Sequence, residues 1–246
     1  NFINNFEIDI KGKNLDGNRF VSEALKKNAS LAIVNKINKK YSLSKQVKVK
    51  NTLNFLTKCS SVFRENNGAK IISITGSCGK TSLKEMIGLT LQKISSTTYS
   101  PKSFNNMYGV PLSLFNLKQQ DKFGVFEVGM DKKGEIDKLT KIIKPDLGVI
   151  TNISYAHSKN FKSINKIAEA KAEIMNNIKE GGTVVLNMDD KFYDYHKNYA
   201  LKKKLRIISF GINKKSSMIN LKKISRIKNK YKLLIDINDL FFSFYS

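Results

Sequence analysis

From residue 71 to residue 210 the chain alternates short, unbroken apolar runs with amphipathic stretches, and this pattern restricts the fold more than any other feature. The runs are 71–75 (IISIT), 123–128 (FGVFEV), 147–151 (LGVIT), 183–187 (TVVLN) and 206–210. Helical patterns are predicted between them, at 80–94, 108–117, 134–143, 163–179 and 191–203. A strand that is apolar on both faces must be covered on both faces, and crossover helices do this in a parallel sheet. The expected class is therefore α/β, with residues 218–236 adding two strands of a small antiparallel unit. Upstream, 31–34 (LAIV) and 47–49 read as short strands, and 51–66 as a helix with Leu53, Leu56 and Phe63 on one face. Asn66-Asn67-Gly68 interrupts the pattern. Two domains are expected: a small α/β domain over 1–68, and a central parallel-sheet, P-loop ATPase-like domain over 69–246.

Composition narrows the class further. Apolar residues make up 41% of the 246, enough for a packed core and too many for a disordered chain. Two cysteines, Cys59 and Cys78, cannot build a disulfide framework, so a reducing, cytoplasmic setting is expected. No apolar run reaches the ~18 residues of a spanning helix, and no membrane insertion is expected. NFINNFEIDI has neither the basic nor the apolar region of a signal peptide. Lys and Arg number 44 against 20 Asp and Glu, a net charge of +24. A nucleic-acid-binding protein would gather such charge on one arm or helix face. Here the lysines are spread along the chain among abundant Asn and Ile, as a coding bias would leave them. No helix-turn-helix signature, zinc-ligand spacing or RNP-like motif accompanies them. No nucleic-acid partner is expected, although the charge can steer anionic substrates.

The strand IISIT runs directly into Thr75-Gly76-Ser77-Cys78-Gly79-Lys80-Thr81, followed by a helix with Leu83, Ile87, Leu91 and Ile94 on one face. Strand, glycine loop and helix form the setting of a phosphate-binding loop. Backbone N–H groups of Gly76, Ser77, Cys78 and Gly79 would close around phosphate oxygens at the helix N-terminus. Lys80 would neutralise the outer phosphates, and the Thr81 hydroxyl would bind Mg²⁺. The longer Walker pattern needs a Gly where this chain has Ile74, so the match is to the shorter form TGxxGKT.

Three further residues stand out. Glu127 ends the strand in FEVGM, where a carboxylate points into the ligand crevice of a parallel sheet. His157 follows the strand LGVIT and the turn Asn152-Ile153-Ser154, while His196, in YDYHKNY, is expected at the surface. Lys171 lies in an otherwise apolar helical stripe with Ile164, Ile167, Ile174 and Ile178. A buried ammonium is costly, so such a lysine either reaches out of the stripe edge or has a lowered pKa. A neutral amine there can add CO₂ and become a metal-binding carbamate.

TGSCGKT, SFNNMYGVPLSL, FEVGM, KPDLGVITNISYAHSKNF, AEAKAEI and VLNMDD, in this order and at these distances, resemble the Mur ligase family. FNNMYGVPLSL and GEIDKLTKIIKPD are most similar to the branch that joins D-alanyl-D-alanine to UDP-N-acetylmuramoyl-tripeptide through an acyl phosphate. That resemblance implies an ATP-dependent ligase of peptidoglycan precursor synthesis, acting as a monomer with two Mg²⁺. It implies that Gly76 to Thr81 hold the phosphates and that Asn187 and Asp190 reach toward the nucleotide. Thr81, Glu127, His157 and a carbamylated Lys171 would hold metal, with Lys80, Lys171 and His157 in catalytic roles. Asn105, Asn106 and Asn152 would line the substrate site. IKGKNLDGNRFVSEALKKNASLAIV, with Asp16 and Gly17, resembles the family's first domain, which holds the uridine nucleotide. Two positions depart from the family pattern: Cys78 replaces the usual loop Asn, and Ser103 stands where a further Asn is common. The family's upstream uridine motif and its Rossmann-like third domain are expected outside this chain, which reads as a fragment inactive by itself, its last strands unpartnered and Leu240, Phe241, Phe242, Phe244 and Tyr245 forming an exposed tail. Rivals are a superfamily ligase using a different amine and a nucleotide-binding relative without catalysis.

Overall fold

The computed structural model describes residues 6–8, 20–27, 29–155, 160–214 and 216–245. It divides the chain after Asn66, two residues before the expected boundary. The first unit contains a parallel three-stranded sheet in the order β1 (Phe6–Ile8), β2 (Leu31–Val34), β3 (Gln46–Lys48). Helix α1 (Val21–Lys26) packs on it through Val21, against Ala32 and Val34. Helix α2 (Thr52–Glu65) starts at Asn51, whose side chain accepts the Asn54 N–H, a favourable N-cap. Its buried line is Thr52, Leu56, Ser60 and Arg64 at a spacing of four; of the expected face only Leu56 is fully buried.

In the second unit the apolar runs become the central strands of a nine-stranded sheet. In chain order its first part comprises β4 (Lys70–Thr75), α3 (Lys80–Gln92), β5 (Thr97–Tyr99), α4 (Gly109–Leu114), β6 (Phe123–Glu127), α5 (Glu135–Ile143) and β7 (Leu147–Ile150). Then follow α6 (Ile164–Ala172), β8 (Thr183–Asn187), α7 (Tyr193–Lys202), β9 (Arg206–Gly211), β10 (Ile219–Ile227), β11 (Lys230–Ile237) and β12 (Leu240–Tyr245). The sheet order is β12-β11-β10-β9-β8-β7-β4-β6-β5, parallel from β5 to β10. Ile74, Val125 and Val149 form the centre of one face, covered by Leu83, Ile87 and Leu91 of α3. The helix ends at Gln92, so Ile94, expected on that stripe, is exposed.

Four further features differ from expectation. Strand β5 lies in a polar stretch, and only its pairing with β6 defines it. The antiparallel unit is an extension of the main sheet, because β10 joins β9 over Ile219–Asn220 before turning into β11. The supposed tail is a strand: β12 pairs with Lys232–Ile237 of β11, although its side chains are all exposed. The predicted helix 163–179 changes at Glu173 into a 3₁₀ turn.

Strand β4 lies between β6 and β7. From β4 the chain passes through α3 to the β5–β6 side, then crosses by α5 to the β7–β9 side. This reversal at the carboxyl end of β4 is where open α/β sheets form a ligand crevice.

Candidate active site

The loop 76–79 leaves β4 at that crevice, and a strand-end turn fixes its shape. Gly76 has φ +148°, and a Cβ there would occupy the space of Thr151 Oγ1. Thr151 Oγ1 donates to the Cys78 carbonyl at 2.7 Å. The Asn152 carbonyl accepts the Ser77 N–H at 2.9 Å, and its side-chain Oδ1 accepts the Cys78 N–H at 3.1 Å. Ser77 Oγ accepts from Ser154 N–H at 2.8 Å and donates to Ser154 O at 3.0 Å. Residues 151–154 therefore act as a clamp on the glycine loop. Gly79, at φ +79°, starts α3, whose first-turn N–H groups have no acceptor within the helix. These groups and the helix dipole form the part of the loop best suited to an anion.

Two ammonium groups meet below the loop. Lys80 Nζ donates to Gly76 O at 3.0 Å, and Lys171 Nζ donates to the same oxygen at 2.8 Å. Lys171 is 1% exposed. Burial, and secondarily repulsion from Lys80, pull its pKa down from 10.5 to about 7. The stripe residue thus turns inward, and its burial favours the uncharged amine.

An oxygen-rich cluster lies beside the first turn of α3. Glu127, 1% exposed, accepts from Thr81 Oγ1 at 2.6 Å and from Asn105 Nδ2 at 2.6 Å. Ser103 Oγ is 3.2 Å from Thr81 Oγ1. The donors that the structure gives Glu127 are neutral, so this buried carboxylate is a place where a cation is favoured. Hydroxyl, carboxylate and carboxamide oxygens match the hard-ligand preference of Mg²⁺. Among the described residues no group of three or more His, Cys, Asp or Glu side chains converges.

The other expected residues are distributed as follows. Asn106 Oδ1 accepts from Tyr108 and Gly109 N–H, so it fastens the start of α4 and does not share the contacts of Asn105. Asn187 Oδ1 accepts from Asp189 N–H, and Asp190 Oδ2 accepts from Ile153 N–H at 2.7 Å, tying the β8 loop to the clamp. Together with Asn152, Tyr193 and His196 they line a small cavity. His196 is buried rather than at the surface. Its Nε2 lies 3.2 Å from Ala168 O, and desolvation holds its pKa below the usual range. His157, Asp16 and Gly17 lie outside the described residues. The clamp residue Thr151 and the buried Lys84 were not expected from sequence. Lys84 looks like an ordinary surface lysine between Leu83 and Glu85, but it shares a helix face with Lys80 and Gly88.

A glycine loop at the switch point, a strand-end carboxylate tied to Thr81, and a buried lysine at the base of the loop define a P-loop-type α/β fold. Residues 74–244 match the Mur ligase middle domain, and the chain belongs to the Mur ligase family. UDP-N-acetylmuramoyl-tripeptide–D-alanyl-D-alanine ligase of Buchnera aphidicola (subsp. Baizongia pistaciae) is 36% identical over 211 residues, covering 86% of this chain and 45% of the relative. A crystal structure of MurF from Acinetobacter baumannii superimposes with TM-score 0.88 at 28% identity, over 98% of this chain and 52% of that one. MurF ligase from Thermotoga maritima, in complex with ADP, gives TM-score 0.85 at 28% identity, over 98% of this chain and 54% of its own. The chain spans about half the length of the relatives it matches. Among the described residues no helix is long and apolar enough to cross a membrane.

Proposed function

We propose that this chain is the nucleotide-binding part of an ATP-dependent ligase that joins D-alanyl-D-alanine to UDP-N-acetylmuramoyl-tripeptide in the cytoplasm. The observation that carries this reading is the buried Lys171 amine on the Gly76 carbonyl, under the phosphate loop and beside Lys80. A solvated structural turn has no need of a fully buried lysine at its base.

In the proposed reaction a substrate carboxylate oxygen attacks the γ-phosphorus of ATP, the bond to the ADP oxygen breaks, and an acyl phosphate forms. The D-alanyl-D-alanine amine then attacks the acyl carbon, loses a proton, and phosphate leaves. Both steps bring anions or electron-rich groups together, so positioned positive charge lowers the barrier. Lys80 exchanges its carbonyl acceptors, Gly76 O and Ser77 O, for phosphate oxygens. The first-turn N–H groups of α3 hold the phosphates in line, and the clamp 151–154 keeps the loop in register. Lys171, its amine pushed toward the uncharged form by burial, forms an N–C bond with CO₂ and releases a proton, becoming an anionic carbamate. Thr81, Glu127, the Lys171 carbamate and His157 are the residues to hold Mg²⁺, with Asn105 orienting Glu127. Bound Mg²⁺ supplies Lewis-acid charge to the transferring phosphoryl group. Asn187 and Asp190 serve the nucleotide, Asn106 and Asn152 the acceptor side, and Asp16 and Gly17 are assigned to binding the uridine nucleotide.

The test is phosphate release by the full-length protein with ATP, Mg²⁺ and UDP-N-acetylmuramoyl-tripeptide. Release that depends on D-alanyl-D-alanine is the expected result. Release supported equally by single amino acids, or none, overturns the substrate assignment.

A further inference from the structure

Lys84 is among the largest fully buried side chains of the molecule, at 0% exposure. It lies one turn after Lys80 on α3, yet its ammonium is paired with groups outside the phosphate loop. Its Nζ donates to the Ser100 carbonyl at 2.6 Å and to the Lys102 carbonyl at 2.6 Å. The third acceptor is Glu85 Oε1, at 2.7 Å. An ammonium has three donors, and here all three are matched at short distance. The helix comes close enough for this because residue 88 is Gly: a Cβ there would lie 2.5 Å from Tyr99 Cδ1.

The two carbonyls belong to the turn that leads out of β5 into the oxygen cluster. Lys102 has φ +47°, a left-handed conformation that is uncommon for a residue other than Gly. The Lys84 ammonium offsets that cost by donating a hydrogen bond to the Lys102 carbonyl. One residue on, Ser103 reaches Thr81; three residues on, Asn105 reaches Glu127. At the start of the turn, Ser100 Oγ accepts the Glu127 N–H at 3.4 Å.

We propose that Lys84 is a positioning residue for the Thr81–Glu127–Asn105 cluster: by fastening the 100–102 turn to α3 it sets where Asn105 and Ser103 meet Glu127 and Thr81. It touches neither nucleotide nor metal, and acts through the turn. The proposal rests on the reading of that cluster as the Mg²⁺-holding end of an ATP site.

The test compares full-length wild type with Lys84→Met, of similar volume but without donors, and Lys84→Gln, shorter and neutral. Amide hydrogen exchange is measured without metal or nucleotide. Exchange over 101–105 should quicken by about tenfold or more, the size of one lost charge-assisted hydrogen bond, with β4, β6 and β7 as protected as in wild type. Mn²⁺ binding to the ATP complex, read by electron paramagnetic resonance, should weaken by about tenfold, while ATP affinity without metal stays within about threefold. Loss of protection spread evenly over the strands, failure of both variants to fold, or unchanged Mn²⁺ affinity makes Lys84 a core residue only and overturns the proposal. If wild type itself binds no Mn²⁺ with ATP, the reading of the cluster fails instead, and the exchange result still decides what Lys84 does to the turn.

Discussion

Replacing Lys171 by Met should make the protein more stable while removing its function. In the folded chain the pKa of Lys171 falls from 10.5 to about 7, chiefly through burial. For a base with a lowered folded value, the unfolded chain holds the proton between about pH 7 and 10.5 and the native state does not. Stability therefore rises with pH across that window, and the full penalty is present below it. At 1.36 kcal/mol per pH unit the gap corresponds to about 5 kcal/mol in all, and to about 2 kcal/mol between pH 7 and pH 9. Lys171→Met removes the penalty but also one charge-assisted hydrogen bond to Gly76 O, worth about 1.5–3 kcal/mol. That oxygen is not orphaned, because Lys80 still donates to it at 3.0 Å. The net expectation at pH 7 is a gain of about 1–3 kcal/mol. The assay is urea unfolding of both proteins from pH 6.5 to 9.5 in CO₂-free buffer, so that no carbamate forms. His196, whose pKa is lowered by burial and to a smaller extent by Lys171 itself, titrates at or below the lower end of this range, so the slope above it reports Lys171. Parallel stability–pH curves for wild type and Lys171→Met would refute the argument, because they would mean that the amine is not desolvated.

Three other changes test the site directly. Lys80→Ala should lower ligation at least about 10²-fold, as expected for a lost electrostatic contact to the transferring group, and near-normal turnover would remove the phosphate-loop assignment. Lys171→Ala should lose most activity, with partial recovery in acetate or formate standing in for the carbamate. ¹³C-bicarbonate should give a carbamate NMR signal in wild type that the variant lacks. Gly76→Ala, whose Cβ would fall on Thr151 Oγ1, should abolish nucleotide binding and lower stability by about 2 kcal/mol or more; normal ATP binding by calorimetry would contradict the clamp geometry.

Much of this molecule is legible from local pattern. Continuous apolar runs of strand length separated by amphipathic stretches admit few arrangements besides a covered parallel sheet, and the sheet from β4 to β9 has that form. TGSCGKT after a strand predicts a glycine loop leading into a helix, and the structure forms that loop between β4 and α3. Lys171 was visible because helical periodicity shows when a charged residue falls on an apolar face. The same method misread His196, since YDYHKNY is polar on every side, and only the packing of α7 against β8 and β9 decides that His196 and Ala200 face inward. It also passed over Lys84. That residue lies on the sheet-facing side of α3, and no pattern within the helix reveals that two carbonyls from the β5–α4 turn stand opposite it. Asn105 and Glu127 are twenty-two residues apart and belong to different elements, so their meeting is a property of strand order. Local sequence determined where the elements form and which residues are chemically capable. The partners of each buried polar group were decided by long-range packing, because a hydrogen bond inside the molecule needs a second group whose position the neighbouring residues do not encode.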